Sequence, residues 1–252
     1  MFEKLFARIG IGSATVDLEV PKPLAELGET LNGEIKIKGG NLEQQVDKIA
    51  VNLMLKSLYS EGGQNRPVNK IVETAAVVEG LTVQPEQELI IPISFKIPFS
   101  QNLPVSRGRT SYYLQIALDI PKAIDPVDHD EIVILPCKYL KMLFDAIANL
   151  GFRETDDSGD YNGRYQEFEY QPTTFFVREL DKIRIYPISH KEELAVALLL
   201  DKKEKGYLGS LLHDAHLDER SVTFKISYEN MKDADKVTKL LKEVIEEEYK
   251  KI

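Results

Sequence analysis

The segment that begins at Ser158 is the part of the chain whose residue types come nearest to a metal site. Counted from that serine, Asp160 stands at position 3, Asn162 at 5, Gly163 at 6 and Glu169 at 12, four features of a calcium-binding loop. A serine cannot supply the carboxylate usual at position 1, and the residues that follow alternate as in a strand instead of a helix. Asn-Gly between extended segments is a strong hairpin signal. We therefore predict a hairpin without a metal, and Asp160, Asn162 and Glu169 are the candidate ligands if one does bind.

The other groups that could do catalysis stand alone. Cys137 follows a run of β-branched residues with His129 as its nearest histidine, which is more typical of a buried structural cysteine than of a nucleophile. His129 itself lies in the acidic segment 125–131, which is typical of a solvated linker. His213 and His216 share one face of a predicted helix but lack the glutamate of a His-Glu-x-x-His zinc motif. We predict no catalytic residue, no cofactor and no enzymatic activity.

Composition excludes several kinds of partner. The chain has 252 residues with 41 acidic and 32 basic side chains, and its net charge of -9 disfavours nucleic acid, which requires a basic face. No apolar run approaches the roughly 18 residues that cross a bilayer, and the first residues lack a signal-peptide core. The single cysteine agrees with a reducing compartment. We expect a cytoplasmic protein without stable membrane insertion.

Six segments with period-two alternation predict an antiparallel β-sandwich over residues 1–125. Gly39-Gly40-Asn41 separates the second and third segments and predicts a hairpin turn between them. Pro92 in the fifth segment and Pro98 immediately after it would remove backbone donors, which predicts an edge strand or a bulge. The six segments are 15–20, 31–38, 49–59, 71–78, 89–97 and 112–120.

Residues 126–229 predict a second domain that mixes strands with helices, after a proline-bounded polar connector with its boundary near Pro126. Helical spacing predicts one helix over Tyr139 to Leu150 and a short one that begins at Tyr207. The segment 194–200 is apolar enough for either a helix or a buried strand, and we favour the strand. The strands predicted in this half are 152–155, 165–170, 183–187, 194–201 and 222–227.

Both ends of the chain show helical spacing. Phe2 to Ile9 predicts a short helix, and residues 230–252 a longer C-terminal one. The apolar stripe of the C-terminal helix could cover its own domain, which we favour, or bind a partner helix. The stripe is therefore the candidate partner-binding site, and it consists of Val237, Leu240, Leu241, Val244 and Ile245.

Five motifs, taken together and in their order, resemble the bacterial sporulation-control proteins of the stage-zero M family. The resemblance extends over about residues 1–227 and leaves the C-terminal helix outside. The motifs are Phe6 to Gly12, Gly33 to Asn41, Pro92 to Pro98, Leu150 to Arg153, and Gln166 to Tyr170 with Pro172.

The resemblance implies an arrestin-like architecture of two β-sandwich domains without enzymatic activity. It further implies a cytoplasmic bacterial regulator or adaptor that binds protein partners of unidentified kind, through exposed sheet edges or the groove between the domains. Self-association of the chain is left open. The alternative function is a β-sandwich that binds a small ligand or carbohydrate, with calcium at the loop that begins at Ser158.

Overall fold

Strands account for 57% of the residues that the structure describes and helices for 15%, which is the mainly β composition that the alternating patterns predict. The computed structural model describes residues 7–9, 14–99, 103–119, 128–203 and 219–251. No helix in these ranges is long and apolar enough to span a bilayer. The chain divides into a first unit of Met1–Lys56, Pro67–Phe99 and Ser111–Leu135, and a second unit of Ser57–Arg66, Ser100–Thr110 and Pro136–Ile252.

The first unit is built on two β-sheets whose inward-facing residues alternate with exposed ones. One sheet contains, in this order, β1 (Ala7–Ile9), β2 (Ala14–Glu19), β4 (Thr30–Lys38) and β7 (Glu88–Lys96), all antiparallel. The other contains β3 (Leu24–Glu26), β9 (His129–Leu135), β8 (Ser111–Asp119), β5 (Gln44–Glu61) and β6 (Gln64–Val83). Their buried residues include Val16, Leu18, Ile35 and Ile37 from the first sheet and Ile49, Val51, Leu53 and Ile116 from the second.

The hairpin predicted at Gly39-Gly40-Asn41 is wrong. The strands on its two sides, β4 and β5, lie in different sheets, so this segment carries the chain from one sheet to the other. Gly39 is needed for a close approach rather than for positive φ, because a Cβ there would lie 2.1 Å from the carbonyl oxygen of Gln84. The actual hairpin turn is Gly62-Gly63 between β5 and β6, with φ values of 59° and 73° as in a type I′ turn.

The second unit contains one antiparallel sheet and two helices within the described residues. The sheet contains, in this order, β10 (Phe152–Glu154), β11 (Phe168–Pro172), β12 (Leu180–Ser189), β13 (Glu193–Lys202) and β14 (Glu219–Ser227). The helices α1 (Lys138–Asn149) and α2 (Ala234–Tyr249) pack against each other and share one core with the sheet. Asp233 begins α2 as its N-cap, since its carboxylate accepts hydrogen bonds from the N–H groups of Asp235 and Lys236.

Several sequence predictions in the second half are confirmed. Helix α1 lies within one residue of its predicted bounds, and it is followed by Gly151 with φ of +86°, a conformation that favours glycine. The segment 194–201 is a strand, as favoured, because β12 and β14 pair with both of its edges. Leu194, Val196, Leu198 and Leu200 face the core of the second unit, whereas the apolar residues between them lie on the other face and are buried or half-buried there.

Other predictions fail or lie outside the described residues. The N-terminal helix is wrong where the chain is described, because Ala7–Ile9 pairs with β2 as a strand. A helix this short is marginal alone, so pairing with a neighbouring strand overrides its helical spacing. The predicted helix that begins at Tyr207, with His213 and His216, lies outside the described residues. The boundary near Pro126 does too, and it stays a prediction.

Candidate functional site

Four strands of the first unit lie at the ends of its two sheets, and the two long ones among them are β6 and β7. β6 ends the sheet β3-β9-β8-β5-β6, and β7 ends the sheet β1-β2-β4-β7. In the described part of the chain, no further strand pairs with the outer side of either. The edge position predicted for β7 is therefore confirmed. A strand at the end of a sheet presents backbone N–H and C=O groups to which another chain can add, so both are candidate interaction sites.

β6 is a long edge with a nearly uninterrupted backbone. It has 20 residues, and Pro67 near its start is its only proline, so residues 68–83 keep every backbone donor. Half-buried and exposed side chains alternate from residue 68 to residue 73, and Ile71 is 56% exposed. An added strand would therefore gain both backbone hydrogen bonds and apolar contact.

β7 differs because a proline interrupts its outer side. The N–H of Ile97 donates to Glu29 at 2.8 Å, and the carbonyl of Gln87 accepts from Gly39 at 2.7 Å, so odd-numbered residues of this segment face β4. The pairing of β4 with β7 continues without a register shift between these two hydrogen bonds. Even-numbered residues therefore direct their backbone groups outward. Pro92 is one of these, and it removes the outward N–H from the middle of the strand.

The turn that joins β6 to β7 is held by the segment that the sequence marked as a hairpin. Gly39 donates its N–H to Gln87, and Glu86 donates its N–H to the carbonyl of Gly40 at 3.0 Å. Gln87 also donates to the carbonyl of Gln84 at 3.1 Å, which closes the turn. Glu86 has φ of +56°, in the left-handed region that costs a residue with a Cβ free energy.

The two edges lie beside one another. A small cavity of about 160 Å³ is lined by Val51, by Ala75 to Val77 of β6, and by Pro92 to Phe95 of β7. Beside it, the hydroxyl of Thr74 donates to Oδ1 of the buried Asn52 at 2.7 Å and so fixes β6 to β5. The same side of the sandwich therefore carries one open edge and one interrupted edge.

The three metal candidates lie together in a cleft of the second unit, which has a volume of about 570 Å³. The hairpin predicted for this segment is confirmed. Tyr161 and Gln166 form an antiparallel β-bridge, and Gly163 between them has φ of +94°. The Oδ1 atom of Asn162 accepts hydrogen bonds from the backbone N–H groups of Arg164 at 3.0 Å and Tyr165 at 2.9 Å, and these two bonds close the turn. Asn162 is thus a turn residue.

Both carboxylates among these candidates are paired with cations. Nε of Arg109 donates to Oδ1 of Asp160 at 2.8 Å, and a second guanidinium nitrogen bonds the other oxygen. This hydrogen bond to the carboxylate raises the pKa of Arg109. Nζ of Lys182 lies 2.9 Å from Oε2 of Glu169. Among the described residues, no three acidic, histidine or cysteine side chains are placed to hold a metal ion.

A buried polar network anchors the hairpin beneath the cleft. The side chain of Gln166 accepts from the N–H of Val105 and donates to its carbonyl, both at 2.9 Å, as a neighbouring strand would. Gln166 also donates to the carbonyl of Gly159, and the N–H of Tyr161 donates to the hydroxyl of Ser57 at 3.0 Å. The sequence analysis missed these residues, because the partners are 61 and 104 residues apart and no local pattern joins them.

The stripe predicted on the C-terminal helix packs largely on its own unit. Val237, Leu241 and Ile245 are buried in the core, whereas Leu240 and Val244 are half-buried against it. The prediction that the stripe covers its own domain is therefore confirmed for the three buried residues. A partner contact of the stripe stays a prediction.

The isolated groups remain apart from the cleft. Cys137 is a free, partly exposed cysteine immediately before α1, and no sulfur partner is present among the described residues. His129 packs edge-on against Tyr113 with ring centroids 5.5 Å apart. Asp128 is not merely a solvated linker residue, since its carboxylate accepts from the N–H of Leu18 at 2.8 Å.

Comparisons with known proteins agree along most of the chain. A family described as SpoOM protein matches residues 2–204. The sporulation-control protein spo0M of Bacillus subtilis (strain 168) is 28% identical over 254 residues, which cover 98% of this chain and 98% of that protein. The crystal structure of Spo0M from Bacillus subtilis matches with a TM-score of 0.78 and 25% identity, covering 95% of this chain and 100% of that one.

The family match covers most of the chain, and the structural match covers both units. The resemblance seen in the five short motifs is thereby confirmed, and so is the arrestin-like fold that it implied. The chain belongs to the SpoOM protein family.

Proposed function

We propose that the protein is a non-enzymatic cytoplasmic regulator that acts as an adaptor, binding an extended segment of a partner protein along the free edge of β6. Its relative is named for the control of sporulation, and this regulatory role is the one that we transfer to the chain. The free Cys137 agrees with a reducing compartment.

The observation that carries the proposal is the outer side of β6. Residues 68–79 offer an unbroken row of backbone donors and acceptors at the end of a five-stranded sheet, up to Gly80, whose φ of +69° departs from the strand conformation. Natural proteins usually shorten, charge or interrupt such an edge, because an open one adds foreign strands. β7, beside it, carries such an interruption in Pro92. An edge left open next to one that is closed favours a binding role for β6.

A pair of proline substitutions tests the proposal. Successive backbone N–H groups of a strand point to opposite sides, so one of Ala75→Pro and Ala76→Pro removes an outward donor and the other removes a bond to β5. The variant that loses the outward donor should keep its melting temperature and lose partner binding. The variant that loses the bond to β5 should have a lower melting temperature. Each variant serves as the control for the other.

The readout is the complementation of Bacillus subtilis lacking its sporulation-control protein. The unchanged chain should restore sporulation frequency, and the proline variant that keeps its stability should not. A cross-linking amino acid at Glu73 of β6 should capture a protein partner that the same group at Glu88 of β7 does not. Full complementation by both stable and destabilised variants, with no adduct from Glu73, would contradict the adaptor role of β6.

A further inference from the structure

The cleft of the second unit has the size of a small-molecule site but not the usual lining. Its volume of about 570 Å³ lies within the ~300–1,000 Å³ typical of ligand pockets, most of which are lined by apolar side chains. Here the walls are polar or aromatic throughout. They include Tyr59 and Asn65 from the β5–β6 hairpin, Tyr165 from the hairpin of the second unit, and Glu167 and Tyr186. An apolar ligand would leave these groups unpaired.

The charges that line the cleft nearly balance, which disfavours an ion as the ligand. Four carboxylates line it, those of Asp157, Asp160, Glu167 and Glu169, against three cations, so the difference is one charge (4 − 3). Two cations are paired with carboxylates, as Arg109 with Asp160 and Lys182 with Glu169, and Arg184 also has an interaction partner. An anion would have to displace these contacts, and a metal ion would have to do the same to the carboxylates.

A neutral polyol can use these groups without separating the pairs. A sugar hydroxyl both donates and accepts a hydrogen bond, and paired carboxylates and amides such as that of Asn65 keep further lone pairs and N–H groups. The side chains are held in advance: Tyr186 donates its hydroxyl to Glu167, and Arg109 is held by two bonds to Asp160. Pre-ordered side chains lower the entropy cost of binding.

Three tyrosines supply the apolar surface that a sugar ring needs. Tyr59, Tyr165 and Tyr186 line the cleft and are all half-buried. An aromatic ring offers a flat apolar face beside a polar hydroxyl, which matches a sugar ring with its C–H faces and hydroxyl rim. We propose that this cleft is a binding site for a neutral carbohydrate of about disaccharide size, a function separate from the protein contact at β6.

Saturation-transfer NMR on the full chain tests the site with four neutral disaccharides as probes: cellobiose, maltose, trehalose and diacetylchitobiose. Transfer to at least one is expected. Tyr165→Ala should weaken binding about tenfold by removing a ring face, and Glu167→Gln should weaken it by a similar factor by removing a charged acceptor. Phe99→Ala and Glu229→Gln are matched controls, because both residues are exposed and lie outside the cleft.

The melting temperature of each variant shows whether it is folded. If Tyr165→Ala does not fold, Asn65→Ala replaces it, since Asn65 is exposed near the tip of a hairpin. Lack of transfer to all four sugars at about 10 mM, tenfold above a dissociation constant of 1 mM, overturns the proposal. So does binding that the two cleft variants leave unchanged, or a stabilisation by calcium chloride or inorganic phosphate that Glu167→Gln abolishes.

Discussion

β6 and β7 are neighbouring edge strands in the same sandwich, yet their outer sides differ in one respect. β6 keeps every backbone donor from residue 68 onward, whereas β7 has lost the central one to Pro92. Both expose a large apolar side chain, Ile71 at 56% and Ile90 at 64%, so hydrophobicity does not distinguish them. The backbone does. We therefore expect the missing N–H at Pro92, rather than the side chains, to keep other strands from adding to β7.

The largest expected effect comes from the glycine that holds both edges. Gly39→Ala would place a Cβ 2.1 Å from the carbonyl oxygen of Gln84, immediately after β6, and 3.1 Å from the N–H nitrogen of Gln87, immediately before β7. Because these neighbours are backbone atoms, the turn must move. We expect the first unit to lose about 3 kcal/mol of its free energy of unfolding.

Amide hydrogen exchange in β4 and β5 of the full chain measures this loss. Gly80→Ala is the matched control: Gly80 lies in β6 with φ of +69° and open space around its Cβ position. It should cost only the left-handed backbone strain, about 1–2 kcal/mol. An equal cost for the two alanines would show that Gly39 does not hold the turn.

Gly39 also shows what the sequence could and could not predict in the first unit. The alternation of Leu31, Ile35 and Ile37 correctly predicts a strand, because burial of one face has a strictly local period. Whether the following glycines form a turn or accept a close approach depends on which strands pair. β4 pairs with β7, some 50 residues later, rather than with β5. Local pattern carries no information on that choice.

The same limit applies to the cleft of the second unit. The sequence predicts the hairpin at Asn162 and Gly163, since that turn is made by neighbouring residues. It does not pair Asp160 with Arg109, which lies 51 residues earlier. The calcium-loop pattern counted acidic residues without their cationic partners. A charge pattern read along the chain therefore overestimates how many carboxylates are available to a metal.

The second prediction opens the closed edge. Pro92→Val restores the outward N–H in the middle of β7 while keeping a residue suited to a strand. We expect the variant to self-associate with rising concentration in sedimentation velocity, under conditions where the unchanged chain does not. Ser94→Val is the control, because it adds the same apolar side chain at another exposed, outward-facing position without adding an N–H.

If Ser94→Val associates as strongly as Pro92→Val, side-chain hydrophobicity decides whether chains associate through β7. The claim that the missing N–H of Pro92 decides it would then be wrong. If neither variant associates, Pro92 does not protect β7. Either result would also weaken the reasoning that makes the unbroken backbone of β6 a binding edge.

The third prediction concerns the attachment of β6 to its sheet. Thr74→Val keeps the β-branched shape and removes the hydroxyl that bonds the buried Asn52 at 2.7 Å. An acceptor left unpaired in the interior should cost about 1–2 kcal/mol of unfolding free energy. Hydrogen exchange of the β6 amides measures it.

Thr82→Val in the same strand is the matched control, since Thr82 makes only an exposed contact with Gln45 at 3.4 Å. It should change the free energy of unfolding very little. Equal effects at the two positions would mean that β6 is fixed by its backbone pairing alone.

The smallest expected effect lies in the turn between the two edges. Glu86 holds φ of +56° with an exposed side chain, and the left-handed conformation costs a residue with a Cβ about 1–2 kcal/mol. Glu86→Gly removes that strain, but the glycine gains about 0.5–1 kcal/mol of unfolded-state freedom. The net expectation is a stabilisation of about 0.5–1 kcal/mol, measured by denaturant unfolding.

Glu86→Ala is the control, because it keeps the Cβ and should leave the free energy of unfolding unchanged. A similar gain from both variants would assign the effect to the lost charge instead of the backbone. A gain from the glycine variant alone would show that the strain is in the backbone of this turn, which joins the open edge β6 to the interrupted edge β7.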